Sequence, residues 1–482
     1  MTAICILNVN TSQALNSYLS FLTKKMSKPI TDHVFFIGVA GTGMSALAQY
    51  LGMQGRTVGG SDRCFNDTQN LPEIYYQLEA ENVNCFAQDG SGISPKFKQV
   101  VISTAIEESN PELIQARKAG LNIIHRSDLL AAITQEKRTI AISGTSGKST
   151  VSAMVWHILN EAGLKPSLIS GAGINSLTKQ GLIGNAWYGE GEWLVIEADE
   201  SDGTLTRYAP ETGVILNLDK DHKEIAELEE LFKTFRSQVQ KNLIINQDHP
   251  LTQKMEGRTL GFGTGDCEVQ GLNFNSKNFE ISFEVHGVPF KVPAPGRHNM
   301  ENALAAIAVA QSLDISLDDC SRALKTYPGI YRRHQIITNN EIFTLVDDYA
   351  HNPAKIAASI RSCYSYNRII AWFQPHGYGP TRFLRDEFAK EISGALRKDD
   401  LMIFSEIYYA GGTVTKDISA ADLCADLTRL GKKSFFVENR KKLPIKINKY
   451  LQNGDCILLM GARDPSLGAF AIELADSLVQ NN

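Results

Sequence analysis

No run of about eighteen apolar residues occurs anywhere in the 482-residue sequence, so no stretch has the length and character of a membrane-spanning helix. The eight cysteines, Cys5, Cys64, Cys85, Cys267, Cys320, Cys363, Cys424 and Cys456, contain no C-x-x-C pair. That argues against a zinc site or a disulfide frame and fits reduced thiols. No basic block interleaved with aromatics is present and the net charge is −5, which gives no footprint for nucleic acid. The first residues lack a basic segment followed by an apolar one and a small-residue cleavage site, so they do not read as a signal peptide. The expectation is a cytoplasmic protein with no nucleic-acid or membrane partner. Residues 1–31 read as an N-terminal extension, and the folded part is expected to begin near Asp32.

What is present is organised around Arg138 to Ala162. A β-branched run, Arg138 to Ser143, passes through Gly144-Thr145-Ser146-Gly147-Lys148-Ser149-Thr150 into a segment whose apolar residues recur at helical spacing. Such a turn is a phosphate cradle. Its glycines admit an oxyanion to the backbone, the helix start offers free N–H groups, Lys148 supplies charge, and the hydroxyl of Ser149 or Thr150 can complete a Mg2+ shell. Ile142 stands where the longest form of this motif has a further glycine, so the match is to the shortened pattern.

Upstream, the strand His33 to Ile37 is followed by Gly38-Val-Ala-Gly41-Thr-Gly43-Met44, a helix, and a strand at Arg56 to Gly59 that ends at Ser61-Asp62. Glycines at the first turn and an acid about twenty residues on are the Rossmann-like arrangement that seats a diphosphate on a helix N-terminus and a ribose on a carboxylate. This turn alone suits NAD, FAD and UDP-sugars equally. Further parallel strands are expected at Gln99 to Ser103 and Leu121 to His125.

Downstream, the apolar strands Glu192 to Ala198 and Thr212 to Leu218 end in Glu197-Ala-Asp199-Glu200-Ser-Asp202 and Asn217-Leu-Asp219-Lys-Asp-His222. Ligands of open parallel sheets collect at the carboxyl ends of strands, so these acids and His222 should converge on the cradle, where hard oxygen ligands suit Mg2+. Gly263 to Val292 alternates like a small antiparallel insert, with Phe279, Ile281, Phe283 and Val285 on one side. A helix is expected from Asn302 to Leu313, with Asn299 and Asn302 on one face where amides can read a purine edge or simply cap the helix. After Tyr327-Pro328-Gly329 a third set of alternating strands and helices begins at Ile342 to Val346. The expected fold class is α/β with three domains. These are a Rossmann-like domain at 32–137, a central P-loop ATPase-type domain with a small β-insert at 138–327, and a Rossmann-like C-terminal domain at 328–482.

In this order the motifs resemble the Mur ligase family, the ATP-dependent amide-forming enzymes of peptidoglycan synthesis. They are GVAGTGM at Gly38, GTSGKST at Gly144, EADESDG at Glu197, NLDKDH at Asn217, GRHNMENAL at Gly296, Arg332-Arg333, DDYAHNP at Asp347 and FQPH at Phe373. The resemblance implies that L-alanine is joined to UDP-N-acetylmuramate through an acyl phosphate, with ATP and Mg2+. It assigns Gly38, Gly41, Gly43, Met44, Ser61 and Asp62 to the UDP substrate. Lys148 and its loop go to the ATP phosphates, Ser149, Thr150, Glu197 and His222 to Mg2+, and Asn299 and Asn302 to the adenine. Lys148, His222, Arg333 and Asp348 become the catalytic set, and His351, His376 and Arg382 reach the substrate from the third domain.

The chain also departs from the family. Ser146 replaces a histidine, and FQPHGYGPTR has Gly377 and Pro380 where the family carries arginines, with Arg382 retained. Arg463 occupies a position where the family tends to have glycine. Apart from Ser146 the ATPase motifs are retained, and the other changes fall near the substrate. They keep two alternatives in view: a paralogue or murein peptide recycling ligase using another amino acid or peptide, and a nucleotide-binding scaffold without catalysis.

Overall fold

The computed structural model describes residues 30–200, 204–219, 224–277, 279–409 and 415–480. Its first sheet has five parallel strands in the spatial order Val83–Ala87, Thr57–Asp62, His33–Ile37, Gln99–Ile102, Asn122–His125. Val34, Phe35, Phe36 and Ile37 are all fully buried, as a parallel strand covered on both faces requires. Strand order reverses direction at His33–Ile37, which makes the loop after Ile37 a topological switch point. The second strand runs to Asp62, so Ser61 and Asp62 belong to its end rather than to a following loop.

The second sheet places Arg138–Ser143 between Thr212–Ile215 and Trp193–Ala198. Ser143 pairs in register with both Ile215 and Ala198, so the loops leaving all three strands emerge at one edge. The strand expected to reach Leu218 stops at Ile215, because the next residues turn to hold the cradle. Helices Lys148–Glu161 and Arg297–Gln311 lie in one apolar cluster, where Ala303, Ala305, Ala306, Ala308 and Ala310 keep the packing close. The second helix begins at Arg297 after Gly296, whose φ of 86° suits only glycine well, and not at Asn302 as expected. Asn299 and Asn302 therefore both lie near its start.

The insert is a three-stranded antiparallel sheet, Leu272–Lys277, Glu280–Val285 and Val288–Val292, with Ile281, Phe283 and Val285 buried. Phe279 departs from the expected alternation. It sits at φ 62° before the strand and packs against Tyr366, in the apolar cluster of the third sheet.

That third sheet runs Gln335–Asn339, Phe343–Asp348, Asp455–Met460, Ile369–Phe373, Leu401–Phe404, Lys433–Phe436. The first of these, which sequence periodicity did not suggest, is antiparallel to its neighbour. The other five are parallel, and Asp348, Met460 and Phe373 stand side by side across three adjacent strand ends. The two conspicuous acids, Asp347 and Asp348, are the last residues of a buried strand.

Candidate active site

Gly144 and Gly147 both adopt positive φ, 138° and 89°, and a Cβ on Gly147 would fall 2.7 Å from Asn302 Oδ1. The cradle is held by one side chain from the neighbouring strand end. Asn217 Oδ1 accepts from Thr145 Oγ1 and from the Ser146 N–H, both at 2.8 Å, while Asn217 Nδ2 donates to the Ser146 carbonyl at 3.1 Å. Gly147 caps the helix without a side-chain bond, which leaves the first N–H groups of Lys148–Glu161 directed at the cradle.

Lys148 Nζ donates to the Gly144 carbonyl and to Glu200 Oε2, each at 2.7 Å, with Asp199 at 3.8 Å. Glu197 Oε1 accepts from Ser170 Oγ at 2.6 Å and from the Gly171 N–H at 2.7 Å. Ser149, Thr150, Glu197, Asp199 and Glu200 line one cavity of about 760 Å3. This all-oxygen donor set fits Mg2+, which takes few protein ligands and completes its shell with phosphate and water. Among the described residues, no group of three or more His, Cys, Asp or Glu is arranged to hold a metal by itself. His222 lies outside the described residues.

The same cavity is lined by His298, Asn299 and Asn302 from the central helix and by Arg333, His334 and Asp348 from the third sheet. Asn299 Nδ2 donates to the Pro295 carbonyl at 2.7 Å, and Asn302 Nδ2 to Asn299 Oδ1 at 3.2 Å. The two amides thus form a chain along the cavity wall, in which Asn299 also ties down the entering loop. Burial pushes the Asp348 carboxyl up. His334, Arg333 and the N–H groups of His334 and Ala350 outweigh it and hold Asp348 below the ordinary carboxylate value. His334 Nδ1 lies 3.1 Å from Asp348 Oδ2. Burial, aided by His334, depresses His298 to about 4, so this histidine is neutral near pH 7. Arg333 lies over the Tyr349 ring at 5.1 Å.

Beneath these groups Arg332 is bidentate to Asp347 at 2.8 and 3.2 Å and donates to the Gly461 carbonyl at 2.8 Å, with both side chains buried. The two arginines that look equivalent in sequence therefore divide. Arg332 braces the strand ends and Arg333 faces the cavity.

At the first sheet the Gly38 and Val39 N–H groups both donate to the Ser61 carbonyl, at 2.8 and 3.0 Å, and the Ala40 N–H donates to Asp62 Oδ2 at 3.1 Å. Asp62 closes the glycine turn with one oxygen and caps the following turn at Cys64 with the other. A Cβ on Gly43 would fall 2.8 Å from Arg126 Nη1, so a guanidinium lies over this turn. Sequence reasoning missed Arg126, although its place just after the strand Asn122–His125 marks the ligand edge. Met44 is buried among Val34, Phe36 and Leu47, so its side chain serves the core rather than a ligand.

His351 and His376 meet with ring centroids 5.6 Å apart. Burial lowers both, and His376 falls to about 4 with His351 and Arg463 adding to the effect. Arg382, in the last turn of the short helix Tyr378–Phe383, pairs with Asp417 and donates to the Thr415 carbonyl at 3.2 Å.

Three domain families match the chain in order: the Mur ligase family catalytic domain at 33–138, the Mur ligase middle domain at 142–310 and the Mur ligase glutamate ligase domain at 332–463. The UDP-N-acetylmuramate-L-alanine ligase of Acaryochloris marina is 34% identical over 467 residues, covering 89% of this chain and 93% of its own. That of Dictyoglomus turgidum is 33% identical over 450 residues, covering 89% and 94%. Among solved structures, the UDP-N-acetylmuramate-alanine ligase of Thermotoga maritima superposes with a TM-score of 0.76 at 25% identity, covering 93% of this chain and 98% of that one. A murein peptide ligase of Psychrobacter arcticus shares the fold, with a TM-score of 0.64 at 19% identity, covering 92% and 98%. A nucleotide cradle, an oxygen-lined cavity and an acid-arginine pair on a third sheet are here matched by three ligase domain families in unbroken order, and the chain belongs to the Mur ligase family.

Proposed function

We propose that this enzyme uses ATP to join L-alanine to UDP-N-acetylmuramate in peptidoglycan precursor synthesis. One observation carries the reading: the phosphate cradle at Lys148, the oxygen donors around Glu197, and Arg333 with Asp348 line a single cavity. The relatives of Acaryochloris marina, Dictyoglomus turgidum and Thermotoga maritima carry the name UDP-N-acetylmuramate-alanine ligase. In this reading residues 32–137 hold the UDP substrate through the glycine turn and Asp62, residues 138–327 hold ATP, and residues 328–482 bring the amino acid.

A carboxylate is a poor acyl donor, so it is first phosphorylated by the γ-phosphoryl of ATP. The amine of the amino acid then attacks the acyl phosphate and phosphate leaves. Both partners of the first step are anions, so the protein acts mainly by positioning and charge neutralisation. Lys148 exchanges Glu200 for the β/γ-phosphates, the N–H groups after Gly147 meet the same oxygens, and Asn299 and Asn302 stand where the base would lie. Mg2+ held near Ser149, Thr150 and Glu197 would neutralise further phosphate charge. Arg333, kept in place by Tyr349, meets the developing negative charge from the opposite wall. Asp348, kept ionised, accepts a hydrogen bond from the incoming ammonium or amine.

A second reading, a ligase for a different amine, is favoured by Gly377 and Pro380, which leave residues 377–381 without a cation, and by the pairing of Arg382 with Asp417. The test is ADP formation with purified protein, Mg2+ and UDP-N-acetylmuramate, scanned over the amino acids and a murein tripeptide. Turnover peaking at L-alanine supports the proposal, turnover with another amine names the second reading, and nucleotide binding without turnover under any pair overturns both in favour of a scaffold.

A further inference from the structure

The third sheet ends in a group of two histidines and an arginine that the reading above leaves without a task. Asp348, Met460 and Phe373 are in register on three adjacent parallel strands. Three residues beyond each come His351, Arg463 and His376, so the strand carrying Arg463 lies between those carrying the two histidines. The histidine rings approach to 5.6 Å, and Arg463 acts electrostatically on both. Arg333, which lines the cavity, acts on His351 as well, so the group adjoins the cavity.

Several features mark this as a place for an anion. Arg463 is exposed and forms no ion pair among the described residues. The acid beside it, Asp464, is committed to Arg440 and to the Ser466 hydroxyl and N–H. His376 Nδ1 is buried with no hydrogen-bond partner. A buried polar atom without a partner is costly, and a ligand that supplies the partner removes the cost. The carboxyl ends of parallel strands are where such ligands bind. Gly377 and Pro380 contribute no charge there, so Arg463 is the guanidinium this edge offers.

We propose that Arg463 receives the α-carboxylate of the incoming amino acid, with His376 Nδ1 as a hydrogen-bond partner to the same group. The proposal rests on the ligation reading and names the residue that selects a free amino acid as the amine. A planar guanidinium engages a carboxylate through two parallel N–H bonds, which would orient the amine toward the acyl phosphate. The other anion within reach is the UDP substrate, and the two sources are separable.

The experiment compares wild type with Arg463→Ala and Arg463→Lys, using L-alanine and L-alaninamide as amines. Arg463→Ala is expected to raise KM for L-alanine by at least about tenfold and to leave KM for ATP and for UDP-N-acetylmuramate within about twofold. Wild type should prefer L-alanine to its amide by about a hundredfold or more in kcat/KM, and the alanine variant should lose most of that preference. Arg463→Lys should restore part of it. An exposed side chain can be replaced without unfolding, which an unchanged melting temperature verifies. If Arg463→Ala keeps both KM for L-alanine and the preference over the amide, or raises KM for the UDP substrate instead, the proposal is overturned. If wild type ligates no amine, the ligation reading itself fails and this inference falls with it.

Discussion

Lys148 Nζ rests 2.7 Å from Glu200 Oε2 and 2.7 Å from the Gly144 carbonyl, so the one lysine of the cradle is held over the loop by an acid from the neighbouring strand end. In the proposed reaction nucleotide phosphates take over the role of Glu200, which stores the cation in position without burying it unpaired. Lys148→Ala is expected to lower turnover by about a thousandfold or more, because it removes a charge that acts directly on the transferred group. Binding of the UDP substrate, on a different sheet, should change less than about twofold. Phosphate release and titration calorimetry measure the two, and near-normal turnover would remove the cradle from the mechanism.

The Asn217 side chain makes three hydrogen bonds to Thr145 and Ser146, each worth about 1 kcal/mol when both partners remain solvent-accessible in the alternative. Asn217→Ala should loosen the cradle, raise KM for ATP by about tenfold and lower the melting temperature by a few degrees. Asn217→Asp keeps the accepting oxygen, loses the donor to Ser146 and adds an anion beside the phosphates. Its KM for ATP should exceed that of the alanine variant while its melting temperature stays nearer wild type. Equal nucleotide KM values for both variants and wild type would show that the loop holds its shape without Asn217.

The parts of this site that were legible in sequence are the local ones. Gly144 to Thr150 reads as a cradle because strand, glycines, lysine and helix follow one another directly. That the acids after Ala198 converge on the cradle was legible too, and Glu200 reaches Lys148; Arg126 over Gly43 and His334 on Asp348 were not, since each depends on which segments lie side by side and at what register. Met44 illustrates the opposite error. It adjoins the glycine turn in sequence, but the helical period directs its side chain into the core. Arg332 and Arg333 look alike as a pair, and only the buried carboxylate of Asp347 separates their tasks.

The Arg332–Asp347 pair is buried on both sides, and removing either member leaves the other charge without its partner. Arg332→Ala should therefore destabilise the protein by about 3–5 kcal/mol in chemical denaturation. Arg332→Met with Asp347→Leu should recover much of that loss, because an apolar pair carries no desolvation penalty. Arg333→Ala, by contrast, should leave stability within about 0.5 kcal/mol, since Arg333 faces the cavity, and should lower turnover instead. A large stability loss in Arg333→Ala with normal turnover would invert the division of labour assigned to the two arginines.

His298 sets a pH dependence of stability whose sign is fixed by its burial. Its folded-state value is pushed down to about 4 from an ordinary 6.5, chiefly by desolvation and then by His334, against the pull of Asp348. The unfolded chain takes up a proton below about pH 6.5 that the folded chain refuses until about pH 4. The contribution is thus fully present above pH 6.5 and is lost as pH falls toward 4, at most about 3 kcal/mol. His376, depressed to about 4 as well, adds a loss of the same sign over the same window. Replacing His298 by glutamine keeps a polar side chain of similar size and removes the titration. Urea denaturation of His298→Gln at pH 7.5 and pH 4.5 should show a fall in stability smaller than that of wild type by about 2 kcal/mol. An identical fall in the two proteins would mean that His298 is protonated as readily in the folded chain as in the unfolded one, and that the cavity wall at the start of the helix Arg297–Gln311 admits water to its ring.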